Sequence, residues 1–160
     1  MSDIKITKPK KIKKIKKKRS INRKAKGINA ERDLIHKFHA LSWSAVRIAG
    51  SGSTRYPAPD LLAGNGHRRI AIEAKSTADS RKYFSHEDID QLRTFSRNFG
   101  CEFWLAVKFQ GENWTFFHPE DLQETKTAFV ATVQLSERIG LNLSELLAVT
   151  QNNPLQGQNL

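Results

Sequence analysis

The sequence predicts a single domain of the mixed α/β class, and three observations carry that prediction. Some stretches repeat apolar residues at helical spacing, others alternate apolar with polar residues, and the two kinds succeed one another along the chain. Turns rich in proline and glycine separate them. At 160 residues there is room for one domain whose core is large enough to fold without disulfide or metal staples.

Residues 1–26 stand apart in composition. They hold 13 Lys or Arg against the single Asp3, leaving 14 basic and 15 acidic groups in the other 134 residues. The net charge of +11 therefore belongs to the N-terminus, and the body is close to neutral. Lysines interrupted by isolated isoleucines repel one another and bury little, so this segment reads as a disordered arm. It suits nucleic-acid binding by phosphate neutralisation and counterion release, or alternatively a solubilising or localisation role. The folded domain is expected over residues 27–151, with a loose polar tail over 152–160.

Residues 29–41 read as a helix burying Leu34, Ile35 and Phe38. Glu31 lies three residues before Leu34 and four before Ile35, which puts it on the buried stripe. A carboxylate in a first helical turn is favoured by the macrodipole. Its inward position also makes it a candidate metal ligand. Residues 43–48 read as a strand, followed by the polar loop GSGSTR. Its glycines permit close backbone approach to a phosphate, Ser51 and Ser53 offer hydrogen bonds, and Arg55 can pair with phosphate oxygens. A solvated connection is the plainer alternative.

Asp60 opens the next short strand, and Gly64, Asn65 and Gly66 supply a hairpin turn. Residues 70–75 form the returning strand, with Glu73 and Lys75 on one face and Ile70 and Ile72 on the other. The hairpin thus brings two carboxylates and an ammonium together. Such a cluster suits divalent-metal phosphodiester hydrolysis: hard oxygens hold Mg²⁺, the metal activates water, and the lysine orients nucleophile or phosphate. A salt-bridged cluster at a strand end has the same composition. The E-x-K element has a competitor at Glu124-Thr125-Lys126, but there no alternating strand precedes it.

Ser85 to Asp88 form a capping box that launches a helix with Ile89, Leu92, Phe95 and Phe99 on one side, stopped by Gly100. Phe95 and Phe99 are core residues or half of a subunit interface. A strand follows with Phe103, Leu105, Val107 and Phe109 alternating, and residues 114–117 read as its antiparallel partner. Residues 118–134 give no assignment. A last helix starts at Asn142 as N-cap, with Glu145 at N3 and Leu143, Leu146 and Leu147 buried.

Cys101, the sole cysteine, excludes an internal disulfide and fits a reducing compartment. His36 and His39 lie i, i+3 on a helix but lack further soft ligands, which argues against zinc. No apolar run approaches the ~20 residues that span a bilayer, so a cytoplasmic protein without membrane contact is expected.

Residues 26–151 resemble the archaeal Holliday junction resolvases, a family within the PD-(D/E)xK nuclease superfamily. The resemblance is carried by KGINAERDLI, AVRIAGSG, PAPDLLAGNG, IAIEAK, DQLRTFSRNFG and LAVKF. It implies a restriction-endonuclease-like nuclease fold, a central mixed β-sheet flanked by helices, assembled as a homodimer. Glu31, Asp60 and Glu73 are then the metal carboxylates for Mg²⁺, with Mn²⁺ able to substitute. Lys75 is the catalytic lysine and Ser51 a loop serine used in cleavage. Arg32 and Arg47 fall where the family uses basic residues for junction binding or cutting, and Phe95 and Phe99 where it packs its dimer. The implied activity is paired nicking of two strands of like polarity in four-way junction DNA. A related nuclease acting on flaps or duplex, or a junction-binding protein that does not cut, are the alternatives. The lysine-rich arm lies outside the resemblance.

Overall fold

The computed structural model describes residues 11–49 and 56–149, with side chains from Ala25 onward. Helix α1 spans Lys11–Ala40 and so includes residues 11–26, for which the sequence suggested disorder. Leu34 and Phe38 dock the C-terminal half of α1 in the core. Each residue added backwards from that anchor gains a hydrogen bond without a new nucleation cost, and lysine is a good helix former. The expectation of disorder neglected this propagation. Residues 1–10 and the expected tail at 152–160 lie outside the described residues.

After α1, Ser42 turns the chain at φ 62°, and strand β1 follows over Ser44–Arg47. Strands β2 (Leu61–Gly64) and β3 (Arg69–Thr77) form the expected hairpin. Gly66 takes φ 89° at its turn, and the Asn65 side chain accepts the backbone N–H groups of His67 and Arg68 at 3.1 and 2.9 Å. Strand β4 (Arg81–Ser85) leads into α2 (His86–Phe99), whose capping box is formed by Ser85 and Asp88 and whose C-terminus ends on Gly100 in the left-handed conformation. Strands β5 (Glu102–Phe109) and β6 (Trp114–Phe117) agree with the predicted pair.

The stretch that gave no assignment contains a 3₁₀ turn at Pro119–Asp121, strands β7 (Gln123–Glu124) and β8 (Ala128–Thr132), and the start of helix α3 (Val133–Ile139). Helix α4 spans Leu143–Ala148 with Asn142 and Glu145 in the expected capping box.

The central sheet has the order β1-β2-β3-β5-β6 and is mixed: β3 and β5 are parallel, and the other neighbours antiparallel. A parallel pair requires a crossover, which β4 and α2 provide. A smaller antiparallel sheet has the order β4-β8-β7. Each face of the central sheet carries its own apolar core. On one side Leu34 and Phe38 of α1 and Leu146 of α4 pack against Ile70, Ile72 and three tryptophans, Trp43, Trp104 and Trp114. On the other, Ile89 and Leu92 of α2 and Phe84 of β4 pack against Ala71, Leu105 and Val107. Ile70 and Ile72 thus face α1, whereas Ala71, Glu73 and Lys75, in the opposite phase, face α2.

Arg68 locks the hairpin to the end of the fold. Its guanidinium takes both oxygens of Glu102 at 2.8 Å and donates to the carbonyls of Leu146 and Leu147 at the end of α4. Those carbonyls lack partners within a helix, and a cation there also meets the negative end of the macrodipole.

Candidate active site

The β2–β3 register pairs Leu61 with Ile72, so one further step brings Asp60 level with Glu73. The Asp60 carboxylate accepts the backbone N–H of Ala74 at 3.0 Å, which fixes it against β3 just as the ladder ends. Glu73 and Lys75 project from the same face of β3, and the Lys75 ammonium donates to Glu73 Oε1 at 2.7 Å. The expected convergence of Asp60, Glu73 and Lys75 is therefore present.

Two groups that the sequence reading did not assign to the site complete its inner wall. Asp88, read there only as part of a helix cap, lies 3.6 Å from the Lys75 ammonium while accepting the Ser85 N–H. The Phe84 ring lies under the same ammonium, 5.7 Å from its centroid. The signal for Phe84 was weak, because β4 has one buried position, and Asp88 was marked only as a cap.

Glu73 is mostly buried, and burial, then the charge of Asp60, push its carboxyl up to about 7 despite the attraction of Lys75. Burial also works against the charged form of Lys75. There Glu73, Asp88 and Asp60 outweigh it and hold the ammonium above its ordinary range. The site thus keeps a charged lysine beside a carboxylate that is costly to ionise.

Glu31 occupies the inward side of α1 as expected, and the rotation of that helix is fixed by Leu34, Phe38 and Asp33. The Asp33 carboxylate accepts from Lys108 at 2.8 Å and from the Trp114 indole at 3.0 Å. Glu31 is bound to Arg47 in a charge-assisted hydrogen bond. Arg47 stands next to the site, since its strand partner is Leu61 and the following residue, Ile48, donates its N–H to the Asp60 carbonyl. Arg32 is exposed on α1. Ser51, Ser53 and Arg55 lie outside the described residues.

Among the described residues, no group of three or more His, Cys, Asp or Glu is arranged as a metal cage. Asp60 and Glu73 nonetheless fit a divalent cation by donor chemistry. Both offer hard carboxylate oxygens, and a cation between them would offset the burial and mutual repulsion that raise Glu73.

A mixed sheet with an aspartate and an E-x-K strand converging at one end of a hairpin defines a nuclease of the restriction-endonuclease-like class. The profile of the family described as archaeal Holliday junction resolvase (Hjc) matches residues 22–154. The crossover junction endodeoxyribonuclease Hjc of Archaeoglobus fulgidus is 37% identical over 123 residues, covering 77% of this chain and 90% of that protein. The crossover junction endodeoxyribonuclease Hje of Saccharolobus solfataricus is 32% identical over 101 residues, covering 61% and 75%. The solved structure of Archaeoglobus fulgidus Hjc, described as a Holliday junction resolvase, superposes with a TM-score of 0.69 at 36% identity, covering 73% of this chain and 94% of that one. The chain belongs to the archaeal Holliday junction resolvase family.

Proposed function

We propose that this chain is a structure-selective endonuclease that resolves four-way DNA junctions by paired, Mg²⁺-dependent nicking of two strands of like polarity, acting as a homodimer. The observation that carries this reading is the meeting of Asp60, Glu73 and Lys75 at one end of β3, in a chain of this family. Asp60 and Glu73 would hold the cation, for which Mn²⁺ can substitute. Mg²⁺ suits such a site because it is commonly held by one or two carboxylates together with water and phosphate oxygens. When bound, the metal supplies Lewis-acid polarisation of the phosphoryl group and a lowered pKa for its water.

The chain's own groups do the positioning. The Ala74 N–H fixes Asp60, and Lys75 places a charged ammonium where negative charge develops on the scissile phosphate. Glu31 joins the carboxylate set if it exchanges Arg47 for the metal, an exchange that frees the Arg47 guanidinium for DNA. Arg32, Ser51, Ser53 and Arg55 are assigned as further contacts to DNA, with Ser51 serving cleavage. The Phe95 and Phe99 rings are stacked 5.2 Å apart, and Phe99 is 53% exposed, which supports placing the dimer contact on α2. A two-fold dimer offers two equivalent sites to a four-way junction. Residues 1–26 add a nonspecific electrostatic clamp to the domain at 27–151.

The test is incubation of purified protein with a synthetic four-way junction in Mg²⁺ or EDTA, beside a flap and a linear duplex. Paired nicks confined to the junction with Mg²⁺ are expected. Equal cutting of flap or duplex would broaden the nuclease, and binding without cutting would leave a junction-binding protein.

A further inference from the structure

Lys82 stands on β4 in phase with Phe84, the residue whose ring underlies the Lys75 ammonium. It is half-buried. Lys75 and Lys108 are also half-buried, and each holds a carboxylate, Glu73 at 2.7 Å and Asp33 at 2.8 Å. Among the described residues no carboxylate comes within ion-pair distance of Lys82. Burial, and then the charge of Lys75, disfavour its ammonium, while Asp79 and Asp88 act from farther away to keep it charged. A half-buried cation beside a like charge gains when something anionic arrives to meet it.

The surroundings indicate what arrives. An open concavity is lined by Thr77, Asp79, Ser80, Arg81, Lys82 and Tyr83. Thr77 follows Glu73 and Lys75 on the same face of β3, which puts this wall of the concavity about 7 Å beyond Lys75 along the strand. The Thr77 hydroxyl accepts the Asp79 N–H at 3.1 Å, and its proton remains to donate. Arg81 and Tyr83 are exposed on the wall, offering a guanidinium fork and an aromatic surface.

We propose that the β3–β4 turn and β4 form a phosphate-binding track for the cut strand, in which Lys82, with Arg81 and Thr77, holds a phosphate adjacent to the scissile one. This rests on the nuclease reading above and adds to it a substrate contact that fixes the register of the strand in the site.

The test is a chemical double-mutant cycle on junction binding, measured in EDTA so that it does not depend on cleavage. Single phosphates flanking the nick position are replaced by neutral methylphosphonates and titrated with the wild-type protein and Lys82→Met. Lys82→Met should weaken binding of the unmodified junction roughly tenfold and reduce the slope of log affinity against log salt by about 1. At one flanking position the methylphosphonate should weaken the wild type by a similar factor and leave Lys82→Met unchanged. The melting temperature of Lys82→Met should equal or exceed the wild-type value, because a half-buried charge beside the Lys75 ammonium is removed. Should that variant fail to fold, Arg81→Gln on the exposed side of the same wall carries the same cycle. Additive losses at every position would overturn the track. A wild type that binds but never nicks in Mg²⁺ would sink the nuclease reading while leaving the binding cycle able to support or refute the track on its own.

Discussion

Glu73 is a carboxylate kept where ionisation is costly, and that cost has a readable consequence. With its carboxyl at about 7, much of the population carries a proton at pH 6, and a divalent cation must displace it to bind. Metal affinity should therefore rise with pH up to about 7 and level off above. Calorimetry in buffers of different ionisation enthalpy should detect a proton released per cation bound at pH 6 and little at pH 8.5. Glu73→Gln should lose that release, and its persistence in the variant would assign the proton elsewhere. The same reasoning predicts that Glu73→Gln and Asp60→Asn abolish nicking yet bind junction in EDTA, since shape changes little. Lys75→Ala should cost at least ~10²-fold in rate, on the scale of losing a preorganised charge. The triad was legible in the sequence because alternation in β3 and the hairpin turn are local signals. Phe84 and Lys82 on β4 and Asp88 on α2 were not, because what gives them meaning is the packing of those two elements beside the end of β3, a tertiary event.

Elements were read well where one face was clearly apolar and the ends were capped. Helix α2 is the plainest case: Ser85 and Asp88 cap it, Ile89 and Leu92 are buried, and Gly100 ends it. Strands β4, β7 and β8 pair with each other in a small side sheet; β7 is only two residues long, β4 has a single buried position and β8 is buried on both faces, so no clear alternation announces them. Helix α1 erred the other way, since a rule about charged composition concealed its propagation from a docked end. Two element-scale outcomes follow. Arg68→Met should lower unfolding stability by about 2 kcal/mol, seen as a lower urea midpoint with an unchanged m-value, because it removes the forked bond to Glu102 and the contacts on the α4 carbonyls. Changing both Phe95 and Phe99 to Ala should shift the protein toward monomer in sedimentation and reduce paired nicking. Phe95 packs partly on the α2-side core, so unfolding of the double variant would mean that the pair is core and that the interface lies elsewhere.

At the scale of the whole molecule the charge is unevenly divided along the chain. The chain from Gly27 onward is close to neutral, and its cations at the site and on β4 are individually placed, whereas 13 basic residues crowd the first 26. A crowd of cations binds phosphate by releasing counterions, which is insensitive to sequence and to DNA shape. Deleting residues 2–24 removes all of that crowd except Lys26 and leaves Glu31, Ser51, Asp60, Glu73 and Lys75 in place. The truncated protein should bind junction and plain duplex more weakly by similar factors, with a clearly flatter dependence of log affinity on log salt. Once DNA is saturating, its rate of junction nicking should match that of the full chain, because the groups that meet the scissile phosphate all lie in the retained domain. An unchanged salt slope would exclude the clamp. A loss of junction preference with duplex affinity intact would instead give the arm a role in reading DNA shape.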